Sequence, residues 1–178
     1  MPRTAKVAAS AKAAEFTLSS SEIRANAMIP QSFEFNGFGC TGKNKSPALN
    51  WSGAPKGTKS FAVTVYDPDA PTGSGWWHWV VIDIPADVTG LAPGAGALNS
   101  TTLPKGAVQV RIDYGVNAWG GPCPPPGDKP HRYVFTVHAV KAEKLEIPPD
   151  ATAALAGFMI NANSLGKASF TARYGRPK

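Results

Sequence analysis

The sequence predicts a mainly β fold: a two-sheet antiparallel β-sandwich with one main helix near the C-terminus. Three observations predict it. Short β-branched and aromatic runs recur along the chain, 17 prolines and 18 glycines punctuate them, and only one stretch combines helical periodicity with a helix start signal. With 178 residues, one domain is expected: residues 1–15 as a disordered tail and residues 16–178 as the folded unit.

Phe16-Thr17-Leu18 reads as a short strand, and Phe33 and Phe35, alternating with polar neighbours, as another. Ala48 to Trp51 forms a strand edge closed by Ser52-Gly53. Phe61 to Tyr66 is β-branched and aromatic, apolar on both faces, and ended by Asp67-Pro68. Trp77 to Ile84 is the next strand, closed by Pro85. Ala107 to Tyr114 predicts a strand with Val108, Val110 and Ile112 on one face. Arg132 to Val140 predicts a further one. The helix is expected over Asp150 to Ala162. Pro148-Pro149 precede it, Asp150 would cap it, and Leu155, Phe158, Met159 and Ala162 would form its apolar face. Lys167 to Tyr174 alternates as a half-exposed antiparallel strand does, with Ala168, Phe170, Ala172 and Tyr174 inward.

The net charge of +6 is spread over single Lys and Arg residues, with no basic run or basic helix face. Nucleic-acid binding is therefore not expected, while a small anion would be helped by the positive field. No stretch approaches the ~18 apolar residues of a membrane span. Met1 to Ala14 holds no unbroken apolar run of the secretory kind, which points to the cytoplasm. The Ala-rich run before Phe16 resembles the end of a signal peptide, so a periplasmic or secreted protein is the alternative. Cys40 and Cys123 are the only cysteines. They would be free thiols in a reducing compartment and a disulfide across the rim of the site in an oxidising one.

Two loops carry the chemistry. Asp67 to Trp79 reads Asp-Pro-Asp-Ala-Pro-Thr-Gly-Ser-Gly-Trp-Trp-His-Trp, and Gly121 to Tyr133 reads Gly-Pro-Cys-Pro-Pro-Pro-Gly-Asp-Lys-Pro-His-Arg-Tyr. Each links the end of one strand to the start of the next, so antiparallel pairing would bring both to one end of a sheet. His78 and His131 would donate to a phosphate oxygen; their structural alternative is two buried histidines. Asp67 would fix the tautomer of His78, share a proton with hydrogen phosphate, or pair with a ligand ammonium. Asp69 would either join the site or make an Asx turn. Gly121 would offer its N–H where a side chain would block approach. Tyr133 is a phenol donor, Trp76 a wall against a cationic head group, Arg132 an ion-pair residue and His138 a structural residue on the opposite face. A catalytic Cys123–His131 pair is the sharper alternative for that cysteine.

These paired motifs resemble the phosphatidylethanolamine-binding protein family, and the compact first loop is similar to its bacterial Raf kinase inhibitor-like branch, the YbhB/YbcL type. The likeness runs from about Phe16 to the end. It implies a small anion pocket, without a cofactor, for phosphate or a phosphoryl-ethanolamine head group. The residues carried over are Asp67, His78, Gly121, Pro122, His131 and Tyr133, with Asp69 and Trp76 nearby. Cys123, inside the proline run, departs from the family pattern and leaves open which proline lines the pocket. The family further implies regulation of a kinase or protease, and its bacterial members a homodimer. The expected role is non-enzymatic binding. The alternatives are a metal-dependent phosphoester hydrolase and an inhibitor acting by protein–protein contact.

Overall fold

The structure, a computed structural model, describes residues 15–178, so the expected tail over residues 1–15 lies outside the described residues but for Glu15. The chain forms β1 (Thr17–Ser19), β2 (Asn36–Gly37), β3 (Cys40–Thr41), β4 (Leu49–Ser52), β5 (Ser60–Asp67), β6 (Trp76–Pro85), β7 (Gly90–Leu91), β8 (Val108–Gln109), β9 (His131–Val140), α1 (Ala153–Ala162) and β10 (Ser164–Tyr174). A five-stranded sheet, ordered β10-β9-β5-β6-β8, is antiparallel throughout. A three-stranded sheet, β1-β4-β7, covers one of its faces, and β2-β3 form a separate ribbon.

Alternation along the long strands builds two cores. Phe61, Val63 and Val65 of β5 join Tyr133, Phe135 and Val137 of β9 in a cluster with Leu49, Trp51 and Leu91 of the small sheet. Ala62, Val80, Ile82 and Val140 face the other way and pack against Ala153, Ala156 and Ile160 of α1. The outer strand β10 buries Ala168, Phe170, Ala172 and Tyr174, the set its alternation predicts.

Three local expectations are corrected. The helix begins at Ala153 and not Asp150, because the Oγ1 of Thr152 accepts the Leu155 N–H at 3.1 Å. Its buried face is Ala153, Ala156 and Ile160, while Leu155 and Phe158 are 40% and 69% exposed. The helix is apolar on nearly every side, so periodicity does not choose its face. The small Ala side chains and Gly157, whose Cβ would lie 3.3 Å from Trp77, let it approach the sheet closely. The strand expected over Ala107 to Tyr114 shortens to Val108–Gln109. There the Asp113 carboxylate, and not a strand carbonyl, accepts the Trp77 N–H at 2.8 Å, and the chain turns back through Gly115 N–H to Ile112 O. Residues Gln31–Phe33 form a 3-10 turn started by Pro30 where the Phe33 and Phe35 alternation suggests a strand.

Cys40 and Cys123 form a disulfide across a sequence separation of 83 residues, joining β3 to the second loop. Closing so long a loop removes unfolded-state entropy worth about 4.5 kcal/mol in the chain-entropy view. Chemical denaturation with and without a thiol reductant should show stability falling by up to that amount, and equal midpoints in both would show that the bridge does not constrain the unfolded chain.

Candidate functional site

Antiparallel pairing puts the end of β5 and the starts of β6 and β9 at one end of the large sheet. Asp67, Trp76, His78, His131 and Tyr133 therefore meet around one cavity of about 240 Å³. A β-bulge contributes to this. Val65 pairs with Trp79 and Tyr66 with Trp77, so His78 has no partner across the ladder. In a regular strand Trp76 and Trp79 would face opposite sides. The extra residue leaves Trp79 in the inter-sheet core and places both Trp76 and His78 on the cavity.

The inner end of the cavity is Asp67, His78, His131 and Tyr133, all buried. Tyr114 and Trp76 meet edge to face beside it, with ring centroids 5.3 Å apart. Its mouth runs past Pro71 and Thr72 of the first loop and Phe38, Pro124 and Pro125 on the other side. Phe38 is 81% exposed and sits at φ 49°, in the left-handed region.

The two histidines are in opposite states. His131 donates from Nδ1 to Asp67 Oδ2 at 2.7 Å and from Nε2 to Asp128 Oδ2 at 3.0 Å. Burial works against its charge, but the two carboxylates outweigh burial and raise its pKa, and a carboxylate on each ring nitrogen favours the imidazolium. His78 donates from Nδ1 to the Gly120 carbonyl at 2.6 Å, which leaves its Nε2 as an acceptor. Burial lowers its pKa to about 4, so this ring is neutral. Burial pushes the Asp67 carboxyl upward, against the hydrogen bonds from His131 and the Asp69 N–H. Two donors at the cavity, Tyr133 Oη and Trp76 Nε1, are buried without a partner among the described residues.

Some assignments change. The tautomer of His78 is set by Gly120, and Asp67 orients His131 instead. Asp69 lies off the cavity, where it takes a two-pronged bond from the Arg132 guanidinium, at 2.8 and 3.0 Å, and the Arg132 N–H at 2.9 Å. That guanidinium holds its carboxyl at about 2. Gly121 and Pro122 are not in the lining, which this loop supplies through Cys123, Pro124 and Pro125. The Gly121 N–H is already given to Asn44 Oδ1 at 2.7 Å. A Cβ there would overlap the Phe33 carbonyl, so the glycine permits close backbone packing and not ligand approach. Cys123 is in the disulfide and carries no thiol for catalysis. Tyr114 and Phe38 of the lining, and Asp128, which bonds His131 from outside it, are the residues that sequence reasoning missed. Asp128 could have been found three residues before His131 in a Gly-Asp turn, and Phe38 beside a cysteine that pairs with the proline loop. Among the described residues no group of three His, Cys, Asp or Glu side chains could hold a metal ion, and no helix is long and apolar enough to cross a membrane.

The chain matches the family model described as phosphatidylethanolamine-binding protein over residues 19–175. It is 56% identical over 165 residues to the UPF0098 protein YbcL of Escherichia coli K12, covering 93% of this chain and 90% of that protein. To YbhB of the same strain it is 46% identical over 157 residues, covering 88% and 98%. The crystal structure of E. coli YbcL, described as a new member of the mammalian PEBP family, matches with a TM-score of 0.89 over 91% of this chain and 99% of that one.

The state of His78 makes a prediction about acid. Its native pKa of about 4 lies below the ordinary 6.5, so the unfolded chain takes up the proton first as pH falls. The stability it contributes is complete above pH 6.5 and is lost toward pH 4, worth about 3 kcal/mol in all. His131, with a raised pKa, works on the other side: its contribution is lost as pH rises. Urea unfolding across that acid range should be flattened in His78→Asn, and identical slopes in variant and parent would mean that the native ring is already protonated.

Proposed function

Since the chain belongs to the phosphatidylethanolamine-binding protein family, we propose that it binds phosphate-type anions, including phosphoryl head groups, in this cavity without transforming them. The observation that carries this reading is the pair of buried, unpartnered donors, Tyr133 Oη and Trp76 Nε1, beside a cationic His131. An unmet buried donor costs about 1–3 kcal/mol, and two oxygens of one phosphoryl group would satisfy both. The neutral His78 accepts rather than donates, so it favours a ligand that keeps a P–OH, such as hydrogen phosphate or a monoester monoanion. The half-exposed Asp128 and the buried Asp67 would attract an ammonium on the same ligand. A second reading, contact with a kinase or protease at the rim, is favoured by the exposed Phe38 at the mouth; a partner released by free phosphate-type ligand would support it.

Calorimetric titration of phosphoethanolamine tests the proposal. Binding should survive a chelator and weaken by about tenfold in Tyr133→Phe, the loss of one hydrogen bond to a charged group. Unchanged affinity in that variant would remove the phenol from the site, and phosphate released during the titration would overturn the non-enzymatic reading. Asp128→Asn removes the carboxylate that occupies His131 Nε2, while Asp67 still holds the ring's proton. It should tighten inorganic phosphate binding several-fold. Weaker binding would show that the Asp128 charge serves the ligand.

A further inference from the structure

The opposite face of the large sheet carries a second cavity, of about 250 Å³, between the strands and α1. Its floor is polar where the rest of that face is apolar. Thr64 lies across from Thr136, and Thr136 across from Ser169, with their hydroxyl oxygens 2.9 Å apart in the second pair. One step along, His138 lies across from Lys167. Thr64, Thr136 and His138 are all buried, yet the neighbouring Ala62, Val80, Ile82 and Val140 show what this face needs for packing on the helix. His138 Nδ1 is buried without a partner among the described residues. A buried imidazole left unpaired is a cost that packing does not explain.

The walls define the chemistry. Trp77 and Tyr66, with ring centroids 4.6 Å apart, and Ile160 of α1 supply apolar surface. Asn161 of α1 supplies an amide, and Lys167, exposed on the edge strand β10, is the one charged residue in the lining among the described residues. Among the described residues no carboxylate lines the cavity, so a cation finds no carboxylate to pair with there. The volume falls short of a drug-sized site and suits a small molecule. We propose that this cleft is a second ligand site, separate from the anion pocket, for a small molecule that joins an apolar body to a carboxylate. The body lies against Trp77, Tyr66 and Ile160. The carboxylate takes its charge partner from Lys167 and an N–H donor from His138. Burial and the nearby Lys167 charge lower the His138 pKa to about 4, so the ring is neutral and keeps one N–H to give.

Benzoate is a fitting probe, with benzylamine as its oppositely charged control, and the imidazole NMR signals of the three histidines report separately on the two sites. The expected result is a saturable shift at His138 with millimolar benzoate, weakened about tenfold in Lys167→Met and absent with benzylamine. Lys167 is exposed, so its replacement leaves the fold in place. Shifts confined to His78 and His131 would assign benzoate to the first pocket and overturn the proposal. So would a silent His138, or a His138 response that Lys167→Met leaves unchanged or that benzylamine reproduces.

Discussion

The pocket depends on the buried ion pair between Asp67 and His131. One residue closes β5 and the other opens β9, so a single contact of 2.7 Å ties the two loops at their roots. Their side chains are 3% and 5% exposed, and burying a charged pair costs solvation that the attraction alone does not always return. Here further bonds help offset it: the Asp69 N–H to Asp67 and the His131 Nε2–H to Asp128. The result is a fixed positive ring beside a fixed neutral one. Two histidines of the same chain are pushed apart by their surroundings, one upward by carboxylates and the other downward by burial, against the pull of the Gly120 carbonyl.

The loops are held in different ways. The first is braced partly from within, with Tyr66 Oη bonded to Ser74 O at 2.7 Å and Thr72 Oγ1 to Gly75 O at 2.6 Å, and is tied to β9 through Asp69 and Arg132. The second leans on other parts of the chain. Phe35 N–H reaches Pro122 O, Asn44 takes the Gly121 N–H, Arg176 Nε–H gives to Pro124 O, and Cys40 binds Cys123 covalently. A proline-rich segment has few N–H groups of its own, so its carbonyls and its one cysteine become the points of attachment.

Much of this was legible in the sequence. The long strands, their shared end, and the meeting of Asp67, His78, His131 and Tyr133 follow from apolar alternation and from where each loop begins and ends. What was not legible has physical causes. The inward face of α1 is decided by how closely Ala and Gly let it approach, which an all-round apolar pattern cannot report. Of the three roles the sequence leaves open for Asp67, none names His131, which β9 brings against it by lying beside β5. Gly121 was assigned to a ligand although a backbone from 88 residues earlier, Phe33, is what crowds it. Each of these three misses concerns a contact between distant segments, where spacing along one strand carries no information.

The bulge at His78 has a further consequence. A β ladder is most regular when its strands stay in step, and β6 is one residue out of step with β5 where the pocket forms. Remove that residue and the two strands could run in step at the rim, with Trp76 still opposite Asp67 and on the same face as Trp79. The regular version of this sheet would then keep His131 at its rim and lose the neutral acceptor that His78 sets beside it. The recess is a dislocation in an ordered lattice, and the ability to bind there is bought with a local loss of order that selection for stability alone would tend to erase.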